Sequence, residues 1–132
     1  MSNILGVGID LVSIKEIHDL DERLNGAFVC KTYTSRELED AKGLADNYYQ
    51  FLAGRFAVKE AVYKAICGSF TDIDFDFRQV ETIKLKNGAP KFNANETLRG
   101  ILEQIGASDI KISISNQGDY AIAIAEVIES NF

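Results

Sequence analysis

The sequence contains no tryptophan, one proline (Pro90), one methionine and one histidine, and its two cysteines, Cys30 and Cys67, lie far apart. Two distant cysteines exclude a disulfide framework or a cysteine metal cluster; free cysteine in a reduced, cytoplasmic protein behaves as a small hydrophobe. With His18 as the single histidine, neither a serine–histidine–aspartate triad nor a multi-histidine metal site is expected. His18 falls in a polar stretch, so its default reading is a solvated side chain. No apolar run approaches the ~20 residues of a membrane span. The start, MSNILGVGIDLVSIKEI, lacks a basic n-region and carries Asp10 in its apolar stretch, which is not the pattern of a signal peptide. Positive charge is also scarce: 14 Lys and Arg stand against 20 Asp and Glu, a formal charge of -6. That balance argues against nucleic acid and anionic membranes as partners, while leaving room for a local phosphate pocket.

What is present is an ordinary soluble composition. At 132 residues, 46% apolar and 26% charged, the chain has the size and balance of one globular domain with its own core. ILGVGI (4–9) reads as a buried strand ending at Asp10. Ile14, Ile17, Leu20 and Leu24 predict a helix over about 13–24. Thr34 and Glu37 form a potential capping box before a short helix at 35–43, stopped by Gly43. Asp46 or Asn47 can cap a long helix that ends before Gly68. TDIDFDF (71–77) alternates acid and apolar residues, as a strand or an extended loop would. VETIKLK (80–86) is a strand that stops at Asn87-Gly88, a turn signal followed by Pro90. Residues 95–105 predict a helix. IKISIS (110–115) and YAIAIAEVI (120–128) predict a closing hairpin through NQGD, with the last strand, apolar on both faces, central in its sheet. Strands and helices mix without a βαβ rhythm, so the expected class is α+β.

Three motifs invite chemistry. Asp72, Asp74 and Asp76 resemble the start of a calcium loop. The glycine and closing glutamate that such a loop needs are replaced by Phe77 and Ile83, so a solvated acidic face is the better account. GVGID lacks the third glycine of a dinucleotide fingerprint, and Gly6 and Gly8 read instead as space for a close neighbour within the sheet. The third is FAVKEAVYKA (56–65), where Lys59, Glu60 and Lys64 interrupt an apolar helix. Spacing alone makes Glu60 and Lys64 a surface i,i+4 pair. Their apolar surroundings open a second reading, in which Glu60 joins Asp10, at a strand end, around a hard cation. Mg²⁺ commonly takes one or two carboxylates and completes its shell with water and substrate phosphates, and Lys64 would lie beside those phosphates.

GVGIDLVSI (6–14), FLAGRFAVKEAVYKAICG (51–68), NGAP (87–90) and SISNQGDYAIAIA (113–125), in this order and at these separations, resemble the holo-[acyl-carrier-protein] synthases. These are the small trimeric class of 4'-phosphopantetheinyl transferases. The resemblance runs nearly from end to end, and its long-helix motif is highly specific. It implies an α+β domain over residues 1–132, with a long helix against an antiparallel sheet. It also implies Mg²⁺-dependent transfer of phosphopantetheine from coenzyme A to a serine of an apo acyl carrier protein, a step of fatty-acid biosynthesis that releases adenosine 3',5'-bisphosphate. Asp10 and Glu60 fall on the family's metal ligands and Lys64 on its phosphate-contacting lysine. Arg55, Gly68, Asn87, Gly88, Pro90, Ser115 and Asn116 lie on segments that resemble the walls of the coenzyme A pocket. A cytoplasmic homotrimer with active sites between subunits is implied as well.

The sequence departs from the family pattern at Asn116, where a histidine is usual, at Glu16, where an arginine is common, and at Cys67-Gly68-Ser69, in place of Gly-Thr-Gly. The charge of -6 is unexpected for a protein that meets acidic carriers; Arg23, Lys31 and Arg36 are candidates for a local basic patch. The alternative these changes raise is a non-catalytic homologue that binds coenzyme A or the carrier.

Overall fold

The computed structural model describes residues 3–131. Strand β1 (Ile4–Ser13) leads into helices α1 (Ile14–Arg23), α2 (Ala27–Thr32) and α3 (Ser35–Ala41). A 3-10 turn then enters the long helix α4 (Tyr48–Cys67). After an extended segment come β2 (Val80–Lys84), β3 (Pro90–Ala94), α5 (Glu96–Gln104) and the hairpin β4 (Ala107–Gln117) and β5 (Tyr120–Glu129). Two antiparallel sheets result, one ordered β1-β5-β4 and the other a β2-β3 ribbon. The class is α+β, as expected, and β5 is central.

The local signals explain most boundaries. Ser13 caps α1, Asn95 caps α5, and Thr34 with Glu37 forms a complete capping box at α3. Asn47 occupies the cap position of α4, but its side chain makes no capping bond there, because the preceding 3-10 turn already directs the backbone. TDIDFDF is an extended loop with its aspartates exposed and Ile73 and Phe75 packed against the core.

Two expectations need correction, and one strand lies where no sequence signal was read. β1 does not stop at Asp10 but continues to Ser13, because the alternation of faces carries on through Leu11 and Val12. PKFNA is a strand, paired from Lys84–Pro90 to Val80–Ala94. Proline is tolerated as its first residue, where the missing N–H costs no ladder bond. Gly6 and Gly8 do make room for a close neighbour, but that neighbour is α4, not another strand. A Cβ on Gly8 would lie 1.8 Å from the carbonyl oxygen of Ala61, and one on Gly6 would lie 2.0 Å from that of Ala65.

This contact sets the architecture. The C-terminal half of α4 runs back along β1 with backbone against backbone, while its N-terminal half, through Gly54, meets Ile114 of β4. The helix therefore crosses from one edge of the sheet to the other. Its inner face buries Leu52, Ala57, Val58, Ala61, Val62, Ala65 and Ile66 against Ala121, Ala123, Ala125 and Val127 of β5. Alanines on both surfaces allow the close approach.

Candidate functional site

On β1, Gly6, Gly8, Asp10 and Val12 share the face toward α4, since their partners on β5 are the inward-facing Val127, Ala125, Ala123 and Ala121. Asp10 thus lies over the sheet with the helix beside it, its side chain 17% exposed. On α4, Glu60 is half-buried and Lys64 exposed, one turn apart. Lys64 does not close the i,i+4 pair that spacing allows with Glu60. Its Nζ donates instead to Asp10 Oδ1 at 2.9 Å and to the carbonyl oxygen of Ile9 at 3.0 Å. Burial, and then the charge of Asp10, push the Glu60 carboxyl above its usual range, while Lys64 opposes the shift. The three predicted residues therefore form one electrostatic unit.

Two carboxylates in one field fit a hard divalent cation that keeps positions open for substrate oxygens. The lysine ammonium already held by Asp10 and Ile9 is itself a stand-in cation, and it shows that these acceptors accommodate positive charge. Among the described residues no three His, Cys, Asp or Glu side chains gather into a closed cage. Mg²⁺ fits such a set better than zinc, whose structural sites are closed by four protein ligands.

The other predicted residues are dispersed. Arg55 and Asn116 line a cleft of about 250 Å³ with Gln50, Phe51, Gly54, Lys84 and Ile114. Arg55 is buried, its guanidinium stacks 4.1 Å from the Phe51 ring, and its Nε has no hydrogen-bond partner. Burial lowers its pKa, with Glu37 and Asp40 opposing. Asn116 Oδ1 accepts from Gln50 Nε2 at 2.9 Å. Ser115 pairs with Ile122 and faces the opposite side of the sheet. Asn87 and Gly88 form the β2–β3 turn, Gly88 with φ +86°, and Pro90 starts β3. Gly68 is the C-cap of α4, beside the cleft lined by Ser69 to Ile73. Arg55 and Glu60, five residues apart, lie about 140° apart around the helix, and because α4 crosses from β4 to β1, the cleft lies at the β4 edge of the sheet and the carboxylates at the β1 edge.

Sequence reasoning passed over Lys59. It is fully buried and pairs with the equally buried Glu37 at 2.7 Å, and it also donates to the carbonyl oxygens of Phe77 and Val80. Burial lowers the Lys59 pKa, and Glu37 acts against that. Glu37 completes its own set by accepting from the backbone N–H groups of Thr34 and Thr82. The pair locks α4 to α3 and β2 immediately before Glu60. The signal was available: a lysine inside FAVKEAV and a glutamate already placed in a capping box. The outer face of β1 and β5 is a second feature that the strand pattern alone does not state. Val7, Ile9, Leu11, Ile122 and Ile124 leave it apolar and exposed, Leu11 by 62%.

A model of the 4'-phosphopantetheinyl transferase superfamily matches residues 6–125. The chain is 35% identical over 122 residues to a holo-[acyl-carrier-protein] synthase of Clostridium acetobutylicum, covering 92% of this chain and 95% of the relative. The crystal structure of holo-[acyl-carrier-protein] synthase from Neisseria meningitidis matches with a TM-score of 0.85 at 31% identity, over 95% of this chain and 98% of that one. A Bacillus anthracis holo-(acyl-carrier-protein) synthase in complex with CoA (3',5'-ADP) matches with a TM-score of 0.75 at 27% identity, over 96% and 98% of the two chains.

Proposed function

The chain belongs to the 4'-phosphopantetheinyl transferase superfamily, and on that premise we propose that it is a holo-[acyl-carrier-protein] synthase. It transfers the phosphopantetheine arm of coenzyme A to a serine hydroxyl of an apo acyl carrier protein and releases adenosine 3',5'-bisphosphate. The observation that carries this reading is the convergence of Asp10, Glu60 and Lys64 at the seam between β1 and α4.

Phosphoryl transfer asks a protein for positioning and charge stabilisation rather than covalent chemistry. The serine oxygen forms a bond to the phosphorus that carries pantetheine, and the bond from that phosphorus to the nucleotide's bridging oxygen breaks. Asp10 and Glu60 would hold Mg²⁺, which would neutralise the diphosphate charge when bound. Lys64 brings a mobile ammonium to the same place and can donate to the diphosphate oxygens. Glu60, at the same place, can take the serine proton directly or through a water. Arg55 and Asn116 line one wall for the rest of coenzyme A, and Gly68, Asn87, Gly88, Pro90 and Ser115, dispersed within one chain, supply further contacts.

In one chain the Arg55 cleft and the carboxylates face different edges of the sheet, so they complete one site most simply between subunits. The exposed apolar strip on β1 and β5 supports a homotrimer that covers it. Intact-mass measurement tests the reaction: an apo acyl carrier protein incubated with this protein, coenzyme A and Mg²⁺ gains one phosphopantetheine, and the gain disappears without metal. No gain across several carriers, from a folded sample, overturns the proposal.

A further inference from the structure

We propose that Lys64 is a resident counter-ion which a divalent metal has to displace from Asp10, so that metal binds well only when a diphosphate draws the lysine away. The inference rests on the functional reading above and concerns how that site is loaded.

Lys64 Nζ donates to Asp10 Oδ1 and to the Ile9 carbonyl, so one carboxylate oxygen and the adjoining strand carbonyl are engaged. An ammonium hydrogen-bonded to a carboxylate repels a second cation arriving at that carboxylate. Lysine is a compact charge on a flexible stem, and the Lys64 side chain is 52% exposed. It can therefore swing away without unpacking α4. Asp10, at 17% exposure and fixed on β1, cannot follow it. The lysine thus has two alternative partners, Asp10 with Ile9, or an incoming diphosphate. Metal and diphosphate both favour the second arrangement. By linkage, each strengthens the binding of the other through the lysine, in addition to any direct contact between them.

The test titrates Mn²⁺ into the protein by calorimetry, with free Mn²⁺ followed by its paramagnetic resonance signal, with and without coenzyme A. Lys64→Met should bind Mn²⁺ about tenfold more tightly than the wild type in the absence of coenzyme A. The enhancement that coenzyme A produces should shrink by a similar factor. Lys64→Arg, which keeps the charge, should restore weak binding, and Lys64→Gln repeats the test should Lys64→Met fold poorly. Equal or weaker Mn²⁺ binding by the uncharged variants, in samples with native circular dichroism, overturns the inference while leaving the transferase reading intact. Absence of Mn²⁺ binding by the wild type with coenzyme A present overturns both. Asp10→Asn serves as the reference in which the site itself is lost.

Discussion

Glu37 and Lys59 form an ion pair at 2.7 Å with neither side chain exposed to solvent. Breaking a buried pair from one side leaves an uncompensated charge, which typically costs ~3–5 kcal/mol. Glu37→Ala and Lys59→Met should each lower stability by that order, read from urea unfolding. The double variant should cost clearly less than the sum, because no lone charge remains. Additive losses would mean that the two charges are not coupled.

Gly8 admits no side chain. A methyl at this position would meet the Ala61 carbonyl at 1.8 Å, and the obstacle is backbone that cannot turn aside. Gly8→Ala should destabilise by ~3 kcal/mol or more, at the upper end of overpacking costs. It should also lower transfer activity in whatever fraction remains folded. Thermal unfolding close to the wild-type midpoint would contradict the packing described.

Burial, and then the charge of Asp10, raise the pKa of Glu60, with Lys64 opposing. Because its folded pKa is raised, the native state binds more protons than the unfolded state between the ordinary glutamate range and the raised value. Its contribution therefore favours folding at low pH and is lost as pH rises through that window. Glu60→Gln should unfold at the same or a higher temperature than the wild type at pH 7, while transfer falls on the order of 100-fold or more. Unchanged turnover in this variant would remove Glu60 from the mechanism.

The apolar outer face of β1 and β5 should disappear on assembly. Leu11→Lys places a charge at its most exposed position and should shift the protein from trimer to monomer in light scattering, with little change in helix content. A wild-type protein that is monomeric at the same concentration would overturn the trimer.

Asn116 faces the Arg55 cleft and accepts from Gln50. Asn116→His offers a group that can carry positive charge, which asparagine cannot. It should tighten coenzyme A binding several-fold by calorimetry, and more so below pH 7. Identical affinity would place residue 116 outside the pocket.

Much of this arrangement was legible in the chain because local rules and tertiary needs agree there. The capping box at Thr34, the turn at Asn87-Gly88 and the central, two-face-apolar β5 each follow from short-range chemistry that the fold did not override. Asp10, Glu60 and Lys64 were legible because charge on an otherwise apolar strand and helix demands a reason. Other features were hidden for equally physical reasons. Glu37 has a complete local role as a capping residue, which masks its pairing with a lysine 22 positions away. Asp10 looked like a strand end because it is polar, although it alternates in phase with Gly8 and Val12. Proline concealed β3, since its exclusion from strands relaxes at a first position. The opposing placement of Arg55 and Glu60 depends on how α4 crosses the sheet, which helical spacing alone does not state.

The backbone contact between Gly6, Gly8 and α4 has a mechanical meaning for the site. Where side chains separate a helix from a sheet, rotamer changes can widen or narrow the gap by fractions of an ångström. Here the two main chains touch, so the span from Asp10 to the helix residues opposite has no compressible layer in it. The seam acts as a fixed jaw, and its adjustable part is the lysine stem that reaches across it.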